Sequence, residues 1–136
     1  MLFEYPLTVP ADTAEAAPAT LECLLSAGTV TRVDVQFPAG CVGMVYATIW
    51  RHDHQLWPIN LDDAIAGEDA IISFTASYDL DDEPFAFLVK AWSPGTTYDH
   101  VITFRFVLLS LDETREIRGL PGLIRRLANL LLGREA

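Results

Sequence analysis

Between Gly28 and Leu109 the chain is cut into short apolar and β-branched runs, each of a strand's length and separated by Pro, Gly or Asp clusters. Strict alternation is plainest where Val33, Val35 and Phe37 interleave with Arg32, Asp34 and Gln36. It returns where Ile72, Phe74, Ala76 and Tyr78 interleave with Ser73, Thr75 and Ser77. In the longest run, Tyr98, His100, Ile102, Phe104, Phe106 and Leu108 share one face. A period of two puts alternate side chains on opposite faces of a sheet, so these runs predict strands. Gly43 to Arg51 is apolar on both faces and is expected near the middle of a sheet, and Phe85 to Trp92 is a further apolar strand. No helical period lies between the runs, which argues against alternating strand and helix units. The expectation is an all-β antiparallel sandwich or jelly roll of about seven or eight strands.

The flanks read differently. Phe3, Tyr5, Leu7 and Val9 alternate, but Pro6 restricts that strand to a sheet edge or an extended arm. Residues 12–19 read as a loop, and 52–69 as a long ordered loop or short hairpin. At the other end Leu120, Leu123, Ile124, Leu127, Leu130 and Leu131 recur every three or four positions, with Pro121 ahead of them and Gly133 behind. That spacing predicts an amphipathic helix over 120–132. We therefore divide the chain into a sandwich over 1–112, with its N-terminal arm or edge strand, and a helical tail over 113–136. The leucine face can cover the sandwich, dock on a partner or lie on a membrane surface; docking makes those six residues, with Phe3 and Tyr5, the partner-binding set.

With 136 residues, 51% of them hydrophobic, the chain can bury a core without disulfides or metals. Cys23 and Cys41 lie in apolar stretches and are expected as buried free thiols. No apolar segment is long enough to span a bilayer, and Pro6 and Pro10 interrupt the start of the chain, so no signal peptide is expected. Residues 1–110 carry four basic side chains against fifteen acidic ones, while the remaining residues carry five arginines and four acids. An acidic body cannot neutralise phosphates, which argues against direct nucleic acid binding.

Three groups of residues bear on chemistry. His52 and His54 project to the same side of an extended segment, and His100 is a third imidazole, an arrangement that invites comparison with the metal-binding cupins, which are also jelly rolls. A cupin would place a glutamate shortly after the second histidine, where this chain has Gln55, Leu56, Trp57, Pro58 and Ile59. The acidic clusters Asp62-Asp63, Glu68-Asp69 and Asp79 to Glu83 fall in predicted turns and lack the spacing of a calcium loop. Among the aromatics Trp50, Trp57, Trp92 and Tyr98, we single out Trp57 and Trp92 as a candidate sugar-stacking platform. No catalytic residue, cofactor or metal ligand is assigned from these patterns.

The segments TRVDVQFPAG (Thr31 to Gly40), HQLWPIN (His54 to Asn60) and AW…YDHVITFRF (Ala91 to Phe106) resemble small jelly-roll proteins encoded among phage structural genes. That group includes capsid decoration, or cement, proteins. The resemblance implies a non-enzymatic virion protein on the outer capsid surface, made in the host cytoplasm. It would bind capsid subunits or copies of itself, in an oligomer such as a trimer. The tail over 120–132 has no counterpart in it. The alternatives are a carbohydrate-binding sandwich module and a cupin-like metal-binding protein.

Overall fold

A computed structural model describes residues 1–118. The helix expected over 120–132 lies outside the described residues. Nine strands precede one helix within them: β1 (Leu2–Val9), β2 (Ala19–Leu24), β3 (Gly28–Phe37), β4 (Tyr46–Arg51), β5 (His54–Trp57), β6 (Ile65–Ala66), β7 (Ala70–Leu80), β8 (Ala86–Trp92), β9 (His100–Ser110) and α1 (Leu111–Arg118). Every pairing is antiparallel.

Sheet A runs β1-β9-β3-β7 and sheet B runs β2-β8-β4-β5, with β6 pairing β4 as well. Because β5 and β6 both lie along β4, they act as two segments of one strand. The first strand then pairs the last, the second the next to last, and so on inward. This is the double Greek key of a jelly roll. As expected, β4 is central, flanked by β8 and β5, and β1 is an edge strand.

The alternation of the sequence is the alternation of burial. Val33, Val35, Ile102, Phe104, Phe106 and Leu108 of sheet A are fully buried, as are Ala47, Ile49, Val89 and Ala91 of sheet B. Phe87 of β8 and Phe106 of β9 meet between the sheets with ring centroids 5.2 Å apart at 66°, a tilted aromatic contact. Gly28 opens β3 where that strand is flanked on both sides, and a Cβ there would sit 2.2 Å from the Leu109 carbonyl oxygen. Cys23 and Cys41 are free and buried. Burial, with the neighbouring Glu22 charge, pushes the Cys23 thiol up to about 12, so it behaves as a small apolar side chain.

Three expectations change. Trp57 packs on the core, with its ring 5.6 Å from Phe74, 6.0 Å from Tyr78 and 5.5 Å from Phe87. It is therefore not half of an exposed sugar platform. The reason is a β-bulge: Ile49 pairs Trp57 while Trp50 pairs Gln55, so Leu56 is the extra residue and the face of β5 switches across it. Tyr98 lies outside β9, 75% exposed. The helix α1 starts at Leu111, ahead of the expected 112/113 boundary, behind a capping box in which the Glu113 amide donates to Ser110 Oγ and the Ser110 amide to the Glu113 carboxylate. Thr114 anchors α1 on sheet A, its hydroxyl 3.1 Å from that of Thr29.

Candidate functional site

The described residues expected at a site are dispersed. Phe3 and Tyr5 are half-buried against the core, the Tyr5 hydroxyl donating to the Leu24 carbonyl. The apolar side chains that β1 exposes are Leu2, 64% exposed, and Pro6. His52 and His54 are exposed at the β4–β5 turn, His52 in a left-handed conformation. His100 is buried at the start of β9, its Nε2 3.2 Å from the Gly40 carbonyl oxygen. Among the described residues, no three His, Cys, Asp or Glu side chains are placed to hold a metal ion. None of the described helices is long and apolar enough to cross a membrane.

Near His100, the carboxylate of Glu68 accepts the Gly40 amide at 2.8 and 3.1 Å and the Val42 amide at 2.8 Å. Gly40, Val42 and Gly43 all have positive φ. Bonds from the Gly40 and Val42 amides hold the Glu68 carboxyl below its ordinary value, with smaller help from the Cys41 amide and His100. A depressed pKa means that the carboxylate stabilises the fold fully above the ordinary glutamate range, and that this is lost as pH falls through the lower folded value. Protection of the Gly40 and Val42 amides, taken as the slowing of exchange relative to the intrinsic rate at each pH, should therefore fall on acidification. In Glu68→Gln it should already be lower at neutral pH and show no acid step; a step that survives the substitution would assign the effect to another group.

A second cluster lies on the outer face of sheet B. Here β4 presents Tyr46, Thr48 and Trp50, and β8 presents Leu88, Lys90 and Trp92, with Tyr46 opposite Trp92 and Thr48 opposite Lys90. The Trp50 Nε1–H donates to Thr48 Oγ1 at 2.8 Å. Lys90 Nζ lies 4.2 Å from the Trp50 ring centroid, a cation–π contact that occupies that face of the indole. Trp92 lies near-parallel to Tyr46 at 24°. Gln55 donates to the Pro58 carbonyl at 2.6 Å, and the Asn60 amide donates to the Asp63 carboxylate. These bonds fold the β5–β6 loop so that Leu61, Asp62 and Asp63 face Trp50, Lys90 and Trp92 across a cleft of about 380 Å³, with Glu15 at its rim. Trp92 was legible as a candidate. Trp50 was legible among the aromatics though not singled out, and Lys90 was missed, although the outward pattern Lys90-x-Trp92 opposite Thr48-x-Trp50 signals it once β4 and β8 are known to pair.

The third feature is a sheet edge. Strand β7 has 11 residues, is paired among the described residues only to β3, and contains no Pro, Lys or Arg. Native edges are usually blunted by proline, charge, shortness or a bulge. Here β1 carries Pro6, β2 has six residues and Glu22, and the edge along β4 is broken between β5 and β6. On β7 the register against β3 shifts only around Ala76 and Ser77, so Ala70 to Thr75 form a regular stretch whose other edge no described strand pairs. Ile71 on it is 54% exposed. Two depressions of about 410 and 260 Å³ lie along this stretch, lined in part by Ala70 and Ile71 and by Ser73, Phe74 and Thr75. The outer face beside it is cross-braced: Arg32 and Ser73 both donate to Asp34, and Arg105 to Glu4 and Gln36. Against the desolvation that opposes it, the bonds from Ser73 and Arg32 and the charges of Arg32 and Arg105 hold the Asp34 carboxyl below its ordinary value.

No protein-family model matches this sequence, and no curated protein does.

Proposed function

We propose that this chain is a non-enzymatic assembly protein, a jelly-roll unit that joins a second copy of itself by antiparallel pairing of their β7 edges. The observation that carries this reading is the regular, uncharged stretch Ala70 to Thr75 on an edge that no second strand pairs among the described residues. Unpaired N–H and C=O groups on such an edge template another strand, main-chain bonds supplying strength and alternate side chains specificity. Two identical edges pair about a two-fold axis, which closes the contact as a dimer. The alternation Ile71, Ser73, Thr75 would then place small polar and aliphatic side chains across from one another with no like charges opposed. An acidic exterior suits a unit displayed on a larger protein assembly and kept from nonspecific association. A phage capsid, with this unit as a decoration protein on its outer surface, is the setting that the resemblance in the sequence supports. Fold alone would not choose it, since jelly rolls also serve lectins and cupins.

Light scattering on the purified chain tests the proposal. The expected mass is twice the 15.1 kDa of one chain. Ile71→Lys with Thr75→Lys should halve it while leaving the far-ultraviolet circular dichroism unchanged, because substitutions at exposed positions typically change stability by less than about 0.5 kcal/mol. A wild-type monomer at every concentration, or an oligomer indifferent to the two lysines, would contradict it.

A further inference from the structure

The cleft on sheet B lies apart from the β7 edge that the assembly reading uses. We propose that it binds a neutral oligosaccharide, with a sugar ring against Trp92 and hydroxyl groups on Glu15, Asp62, Asp63 and Lys90.

Charge selects the ligand class. Glu15, Asp62 and Asp63 against the single Lys90 give the cleft an excess of negative charge, which repels phosphates, sulfates and carboxylates. Cationic ligands are disfavoured for a different reason: Lys90 already sits over the Trp50 ring, where a cation would bind best, and would repel it. An uncharged ligand with many hydroxyl donors meets neither obstacle, and three carboxylates are acceptors for those donors. Among the described residues Lys90 forms no ion pair, so its ammonium supplies the complementary donor to ligand oxygens.

Rigidity supports the same reading. The Trp50 indole is fixed by its bond to Thr48, and Trp92 is backed by Tyr46. The rim is fixed through Gln55 and Asn60. A cavity of about 380 Å³ lies at the lower end of the range of small-molecule sites, roughly 300–1,000 Å³. Aromatic rings offer the apolar faces of a sugar a partner, while polar groups around them fix its orientation. The cleft faces outward from sheet B whereas β7 belongs to sheet A, so self-association and sugar binding stand or fall separately.

The test is a titration of the intact protein with cellohexaose, maltohexaose and fully N-acetylated chitohexaose, and with hexagalacturonate as the charged control, followed by tryptophan fluorescence and calorimetry. At least one neutral hexasaccharide is expected to bind saturably and hexagalacturonate to be rejected. Trp92→Ala and Asp62→Asn should each weaken binding about tenfold. The second variant leaves the fold intact, because Asp62 has a φ of 69° and asparagine tolerates that conformation. Failure of all three neutral probes, wild-type affinity in both variants, or equal binding of hexagalacturonate would overturn the proposal.

Discussion

Phe106→Ala is expected to lower the free energy of unfolding by about 3–5 kcal/mol, the range for removing a buried phenylalanine. Phe106 is fully buried on β9, between Phe3 of β1 and Val33 of β3 in register, and its ring meets Phe87 across the sandwich. Truncation removes the transfer energy of the ring and also leaves a cavity. Neither sheet can close over that cavity, because both are held by continuous ladders to neighbours on each side. Domains of this size are stable by only about 5–15 kcal/mol. The variant should therefore unfold at a much lower urea midpoint with an unchanged m value. A loss below about 1 kcal/mol would mean that the two sheets are not packed through this pair.

Trp57→Ala should cost about 3 kcal/mol, at the lower end of the range for large aromatic truncations, since the ring is half-buried. Its indole bridges β5 to Phe74 and Tyr78 of β7 and to Phe87 of β8, closing the side of the sandwich where two edge strands face each other. Trp57→Phe should recover much of the loss by restoring the aromatic contacts. Thermal unfolding followed by circular dichroism measures both. A Trp57→Ala protein as stable as the wild type would return this residue to the surface role that its spacing alone suggests.

Most of the strands were legible because burial on one face writes a period of two into the sequence. Val33, Val35 and Phe37 were placed by it, as was the run from His100 to Leu108. The break into β5 and β6 was not legible beyond a loop or hairpin, because His, Asp, Asn and Pro dominate 52–69 and the apolar residues there lack a sustained period. The helix α1 escaped because it is short, although Ser110-x-x-Glu113 is a capping signature. Trp57 was misplaced for a sharper reason. Gln55 and Trp57, two apart, ought to share a face, yet Gln55 borders the outer cleft and Trp57 enters the core. A bulge reverses the rule, and whether a strand carries one depends on pairing with a distant neighbour. The cleft was half legible on the same grounds: Trp50 and Lys90 meet only through the β4–β8 register, which joins residues far apart in the chain.

Openness of the β7 edge is what separates an assembly unit from an isolated sandwich, and hydrogen exchange measured residue by residue at two protein concentrations reads it directly. At low concentration the outward amides between Ala70 and Thr75 should exchange rapidly, while those bonded to β3 stay protected. At high concentration the outward amides should become protected, with β1 and β2 unchanged. Exchange along Ala70 to Thr75 that is independent of concentration, or protection that grows on β1 or β2 instead, would contradict pairing through β7.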